Sequence, residues 1–194
     1  MNTILNTLKS TGAILEGHFL LTSGLHSNKY IEKFRLIENP ESLDLVCDEM
    51  AKIFINEDIN LVLGAAVGGI LISGGVGRKL NMKHIFTERV NGIMELRRGF
   101  TIDENSKVLI VEDIVTTGGS IFELIDIVNN NKGQIVGITS ILDRNKEPVD
   151  FGGYNYKPLV QYHVESYKSD EVPDWLNNIP ITKPGRSGKK WKLF

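Results

Sequence analysis

A chain of 194 residues that is 41% apolar can bury the core of one domain, and a formal net charge of −2 excludes a generally basic face for nucleic acid or an anionic membrane. Cys47 is the single cysteine, which excludes an intrachain disulfide and a cysteine-built zinc site and fits a reducing compartment. The opening "MNTILNTLKS" lacks the apolar run of a signal peptide and no stretch approaches a membrane span, so a cytoplasmic protein with a small-molecule partner is expected, with no nucleic acid and no membrane.

Ile4, Leu5 and Leu8 predict a short amphipathic helix that breaks at Gly12, and "AILEGHFLLTSG" then reads as strand and turn. Asn39 as cap and Pro40 at the first helical position start a helix whose apolar face is Leu43, Val46, Cys47, Met50, Ile53 and Phe54. "INLVLGAA" is a nearly all-apolar strand feeding a glycine-rich helix, "GGILISGGVGRKL"; "KHIFTE" repeats the strand signal. "KVLIVED", the helix "SIFELIDIVNN" with Ile121, Leu124, Ile125 and Val128 on one face, and the strand "QIVGITSILDR" complete the alternation. Apolar strands separated by helices imply a parallel sheet with right-handed crossovers, an α/β fold of doubly wound type.

Two stretches fall outside this alternation. Residues Glu88 to Ser106 are long and polar for a connection in a compact domain, which suggests a lid or binding loop. After Arg144 the pattern weakens: "YKPLVQYHVESY" offers one edge strand, and "KPGRSGKKWKLF" reads as an exposed basic tail.

The chemistry concentrates in "VLIVEDIVTTGGS", Val108 to Ser120. Glu112 and Asp113 fall where an apolar strand meets a loop, and in open α/β sheets ligands bind beyond the carboxyl ends of the strands. Thr116, Thr117, Gly118, Gly119 and Ser120 supply hydroxyls, unhindered N–H groups and a helix N-terminus, which suit a phosphate monoester. A ribose 5-phosphate matches both ends, with its hydroxyls on the acids and its phosphate on the loop. The loop lacks the lysine of a Walker A motif and the spacing of G-x-G-x-x-G, so ATPase and dinucleotide readings lose. An isolated acidic pair more often ends a strand; its combination with this strand and loop points to a site.

The same stretch resembles the signature of the type I phosphoribosyltransferases: four hydrophobic residues, two acids and a loop ending T-T/A-G. Within that family the closest resemblance is to the orotate branch, and it covers roughly Gly12 to Arg144; "GAILEGHFLLTSGLHSNKY" is similar to its N-terminal hood and "ILDR" to the strand end carrying its base-contacting arginine. The resemblance implies one domain over residues 1–194, with a central mostly parallel sheet flanked by helices, a hood contribution from 1–35, a mobile loop at 88–106 and the basic tail at 183–194. It implies transfer of a phosphoribosyl group from 5-phosphoribosyl 1-diphosphate to orotate, giving orotidine 5′-monophosphate and pyrophosphate.

Glu112 and Asp113 would then take the ribose hydroxyls, and Ile114, Val115 and Thr116 to Ser120, with Arg89, would complete the donor site. Ala65, Ala66, Val67, Gly68 and Gly69 resemble the pyrophosphate loop. Thr116, Arg144, Tyr30 and Ile31 would face the base, with the turn Thr22 to Gly24. The better-known orotate enzymes carry a lysine where Gly68 stands and a lysine where Val90 stands. This chain resembles a shorter bacterial branch with "TER…M.LRRGF", in which Arg97 and Arg98 are the candidate loop cations beside Arg89. That branch often carries C-P-x-C near its C-terminus; "VPDW" stands here, so a metal role for that pair is absent.

The family further implies Mg²⁺ held mainly by substrate and water, with no direct protein ligand, and a homodimer in which the loop reaches the neighbouring site. His18, His26, His84 and His163 show no ligand spacing. Two rivals share the donor motif: a transferase for another nucleobase, and a non-catalytic regulator that senses the donor. The second would need a nucleic-acid surface, for which Lys183, Arg186, Lys189, Lys190 and Lys192 are the single basic cluster, and such runs are usually solvated.

Overall fold

The computed structural model describes residues 3–184. The chain runs through α1 (Thr3–Ser10), β1 (Ile14–Leu20), β2 (His26–Ile31), α2 (Phe34–Ile37), α3 (Pro40–Ile53), β3 (Leu61–Ala65), α4 (Gly68–Leu80), β4 (Lys83–Val90) and β5 (Ile93–Leu96). It continues through β6 (Lys107–Val115), α5 (Gly119–Asn130), β7 (Gln134–Asp143), β8 (Tyr156–Gln161), α6 (Asp174–Asn177) and β9 (Ile181–Thr182).

Six strands form the main sheet in the order β5-β4-β3-β6-β7-β8, parallel except for β5, which runs antiparallel to β4. Every residue of β3 is buried, as a strand covered on both faces by helices must be. One face packs on α1, α3 and α4 through Leu8, Val46, Met50, Ile72 and Val76; the other packs on α5 through Ile121, Leu124 and Val128. The α/β class with a mostly parallel sheet flanked by helices therefore holds.

Local chemistry accounts for the element ends. Asn39 caps α3, its Oδ1 accepting from the Ser42 N–H at 2.9 Å, and Pro40 follows at the first helical position, where its missing N–H costs nothing. Phe54, just beyond α3, is buried beneath Gly137 of β7, where an added Cβ would lie 2.2 Å from its ring.

The stretch from Glu88 to Ser106, expected as one long connection, contains a hairpin instead: β4 extends to Val90 and β5 returns from Ile93 across a two-residue turn. Asn91 and Gly92 both have positive φ, 50° and 87°, which twists the turn to suit the strands. Asn-Gly between apolar residues is a strong hairpin signal, one that polarity alone conceals.

The hood is a separate three-stranded sheet, β2-β1-β9. β1 and β2 form an antiparallel pair, and β9 joins β1 in parallel, so the hood draws on residues far beyond 1–35. His18 of β1 is buried, with Nδ1 3.2 Å from the Ile179 carbonyl and Nε2 2.6 Å from His26 Nδ1, which ties the approach to β9 to both hood strands. The basic tail expected at 183–194 lies, beyond Pro184, outside the described residues.

Candidate active site

At the carboxyl end of β6 the side chains of Glu112 and Asp113 are buried, with residue exposures of 7% and 3%. Their own backbone holds them: the Asp113 N–H donates to Glu112 Oε1 at 2.8 Å and the Ile114 N–H to Asp113 Oδ1 at 2.6 Å. Burial pushes the Glu112 carboxyl up to about 8; the Asp113 charge adds to the rise, while the Asp113 N–H and the Lys33 ammonium oppose it. Two adjacent acids in a dry site are costly unless something neutralises or bonds them.

The loop after β6 turns on Gly118, whose φ of 79° lies in the left-handed region and whose missing Cβ leaves room for Phe151, 2.7 Å from where it would stand. α5 starts there with no side-chain cap and no acid in its first turn, so its first N–H groups keep the partial positive charge of a helix N-terminus. A cavity of about 260 Å³ opens over this loop, bordered by Glu112, Thr116 to Ser120, Arg89 and Glu123. Asn145 braces the loop from the β7 side: its Nδ2 donates to the Thr116 carbonyl at 2.6 Å and to buried Asp143 at 2.7 Å.

The segment Ala65 to Gly69 links β3 to α4 and approaches the acids closely. An added Cβ on Gly68 would lie 1.9 Å from Asp113 Oδ2, and one on Gly64 would lie 2.3 Å from the Gly69 carbonyl oxygen. Backbone leaves room only for glycine at position 64, and at position 68 a methyl group would displace the Asp113 carboxylate. α4, like α5, begins without a side-chain cap or a first-turn acid. Two helix N-termini thus flank one acidic pair.

Arg144 directly follows β7, and its backbone N–H donates to the Val115 carbonyl at 2.9 Å. Its guanidinium is half-buried and pairs with no carboxylate among the described residues; burial disfavours its charge and nearby Tyr30 favours it. Burial and Glu32 raise the Tyr30 phenol, against the opposing pull of Arg144. The hood strand β2 and the end of β7 therefore face each other across this region. Ile31 departs from expectation: its side chain is buried in the core with Leu8 and Leu36. Successive strand residues point to opposite faces, so when Tyr30 turns outward Ile31 must turn in, leaving its backbone as what this position can offer a ligand. The side chain of Val115 is buried likewise, and that of Ile114 packs against the core.

The three arginines divide. Arg89 borders the loop cavity, its Nη2 2.6 Å from Glu123 of α5 and its Nη1 2.5 Å from the Gly92 carbonyl. Arg97 and Arg98 line a second cavity of about 330 Å³ with Glu88, Arg89 and Val90, and Arg98 holds Glu88 through two bonds at 2.9 and 3.0 Å. Neither reaches the acidic pair of its own chain. Sequence reasoning missed Lys33, Glu123 and Asn145. None belongs to the motif, and Lys33 meets Asp113 across 80 residues of chain.

Residues 35–170 match the Phosphoribosyl transferase domain family. The orotate phosphoribosyltransferase of Caldicellulosiruptor saccharolyticus is 46% identical over 177 residues, covering 91% of this chain and 92% of the relative. That of Thermotoga maritima is 42% identical over 183 residues, covering 94% and 97%. The crystal structure of orotate phosphoribosyltransferase from Aeropyrum pernix superposes with a TM-score of 0.72 at 22% identity, over 82% of this chain and 93% of that one, a likeness of fold. With an acidic pair at the end of β6, a hydroxyl- and glycine-rich loop opening α5, and relatives matched over nearly their whole length, the chain belongs to the phosphoribosyltransferase family, among the orotate phosphoribosyltransferases.

Proposed function

We infer that the protein transfers the phosphoribosyl group of 5-phosphoribosyl 1-diphosphate to N1 of orotate, releasing pyrophosphate and forming orotidine 5′-monophosphate. The observation that carries this is the buried acidic pair flanked by two uncapped helix N-termini, with an arginine that has no carboxylate partner among the described residues close by. Glu112 and Asp113 accept hydrogen bonds from the ribose hydroxyls. The loop Thr116 to Ser120 and the start of α5 hold the 5′-phosphate, while Ala65 to Gly69 and the start of α4 hold the pyrophosphate. Arg144 pairs with the orotate carboxylate or its adjacent carbonyls, between Tyr30 and Thr116.

The reaction breaks the bond from C1 to the pyrophosphate oxygen and forms one from C1 to N1. Positive charge grows on the ribose as the bond loosens, and Glu112 and Asp113 lie against that ring. The chain contributes position and charge, without a covalent intermediate. The hairpin β4–β5 with its flanking residues to Ser106 forms the closing element, and Arg89, Arg97 and Arg98 bring cations to the leaving group while the closed site excludes water.

Two carboxylates, one of them paired with Lys33, form no cage of three or more acidic, histidine or cysteine ligands among the described residues; this donor set fits a hydrated Mg²⁺ shared with the donor. Bound there, such an ion would supply positive charge toward the departing pyrophosphate.

A homodimer completes this reading. Exposed Leu71 on α4 and Ile93 on β5 support a second copy beside the hairpin, whose Arg97 and Arg98 stand apart from the acids of their own chain. A cytoplasmic location accords with the buried free thiol of Cys47; among the described residues no helix is long and apolar enough to cross a membrane. Loss of orotate absorbance with donor and Mg²⁺, each omitted in turn, tests the activity. No loss with all three present rejects it, and a panel of other bases assayed for pyrophosphate release tests the choice of base.

A further inference from the structure

Outside the motif, one side chain reaches the acidic pair. Lys33 stands between β2 and α2, and its Nζ lies 2.5 Å from Asp113 Oδ2. Among the described residues it is the cation paired with that pair, and the Asp113 side chain is 5% exposed against 32% for the lysine. The contact is built from both sides. The Lys33 carbonyl accepts the Leu36 and Ile37 N–H groups at 3.1 and 3.0 Å, which fixes the backbone, and the aliphatic stem covers a small apolar hollow with Leu8, Leu36 and Ile114. Opposite the ammonium, the same oxygen fills the space that a Cβ on Gly68 would need. The carboxylate is therefore wedged between Gly68 and Lys33, while its other oxygen takes the Ile114 N–H. Each oxygen keeps a lone pair for a further donor.

We propose that Lys33 is a positioning residue for the sugar: its ammonium holds the Asp113 carboxylate against Gly68 in the orientation that receives a ribose hydroxyl, and it offsets the buried negative charge that a polyanionic donor must approach. This rests on the transferase reading given above. Without the ammonium, a substrate carrying several phosphate charges meets an uncompensated Asp113 carboxylate, which is free to swing from the glycine. Arg144 and Tyr30, assigned to the base, interact with each other and not with Lys33, so the base has less to lose than the sugar.

The test compares the wild type with Lys33→Met, which keeps the stem and removes the charge, and Lys33→Arg, which keeps the charge. Lys33→Met should raise the KM for the phosphoribosyl donor by about 10- to 100-fold, the loss that follows removal of one charge-assisted contact. The KM for orotate should change by less than about threefold, and Lys33→Arg should recover most of the donor affinity. A merely structural staple would raise both KM values together, lower the melting temperature and resist rescue, and that pattern, or an unchanged donor KM, overturns the proposal. Lys33→Gln replaces the methionine variant if the latter does not fold. A wild type that transfers nothing to orotate rejects the transferase reading instead. Calorimetric binding of ribose 5-phosphate to wild type and Lys33→Met then decides the role of Lys33, with equal affinities counting against it.

Discussion

Gly68→Ala probes the active site through a single methyl group. Its Cβ would stand 1.9 Å from Asp113 Oδ2, 3.0 Å from Cγ and 3.4 Å from the Asp113 Cβ. Non-bonded carbon and oxygen settle about 3.3 Å apart, so the carboxylate tip must retreat by about 1.4 Å. The tip belongs to a rotatable side chain, so the retreat spares the backbone but turns the carboxylate out of the orientation it holds between Gly68 and Lys33. Reacting groups misplaced by an ångström lose about 10²-fold in rate, and a fall of that size in kcat/KM for the donor is expected. Stability should move the other way: alanine early in a helix gains about 0.5–1 kcal/mol over glycine, so melting should be unchanged or slightly higher. Gly74→Ala is the control, because its Cβ meets the His84 ring at an ordinary 3.5 Å. Steady-state kinetics and thermal melting on the three proteins suffice. If Gly68→Ala turns over like the wild type, the close approach of this loop to Asp113 plays no part in catalysis.

Three further outcomes are expected. Arg144→Ala should raise the orotate KM by about 10- to 100-fold while leaving that of the donor within about threefold, and equal effects on both would remove Arg144 from the base site. Gly118→Ala forces a left-handed φ on alanine and drives its methyl group into Phe151, so it should cost about 2–4 kcal/mol and lower the melting temperature by about 5–15 °C; a loss under about 1 kcal/mol would mean the loop relaxes freely. Glu112 has its folded-state pKa raised to about 8. The group therefore favours the folded state below its unfolded value of about 4.5, and that contribution is lost as pH rises toward 8. The ligand-free protein should melt lower at pH 8.5 than at pH 6, with Glu112→Gln flattening that difference; a difference unchanged by the variant would assign it elsewhere.

Elements defined by near neighbours were legible in the sequence, and those assembled from afar were not. Asn39 and Pro40 announce α3 because capping is decided within four residues, and "VLIVED" announces a buried strand because both its faces are apolar. The acidic pair and its loop were legible as a candidate site because strand, acids, hydroxyls and helix start are contiguous. The hairpin was legible in Asn91-Gly92 but was masked by the charges around it. β9 and Lys33 lay beyond reach: a two-residue strand carries no periodicity, and nothing near Lys33 reveals that Asp113 awaits it. The alternation of Tyr30 and Ile31 was available in principle, but it required knowing that β2 is a strand.

The hood also carries a consequence for assembly. His18 binds the Ile179 carbonyl across 161 residues, and β9 lies beside β1. Synthesis proceeds from the N-terminus, and segments dock as their partners emerge. The first strand made must therefore wait for almost the last described, and the three-stranded sheet is completed only after the six-stranded sheet can already exist. A ribosome-bound fragment ending before residue 179 would carry the acids, the loops that open α4 and α5, and Arg144, yet would leave β1 without its parallel neighbour.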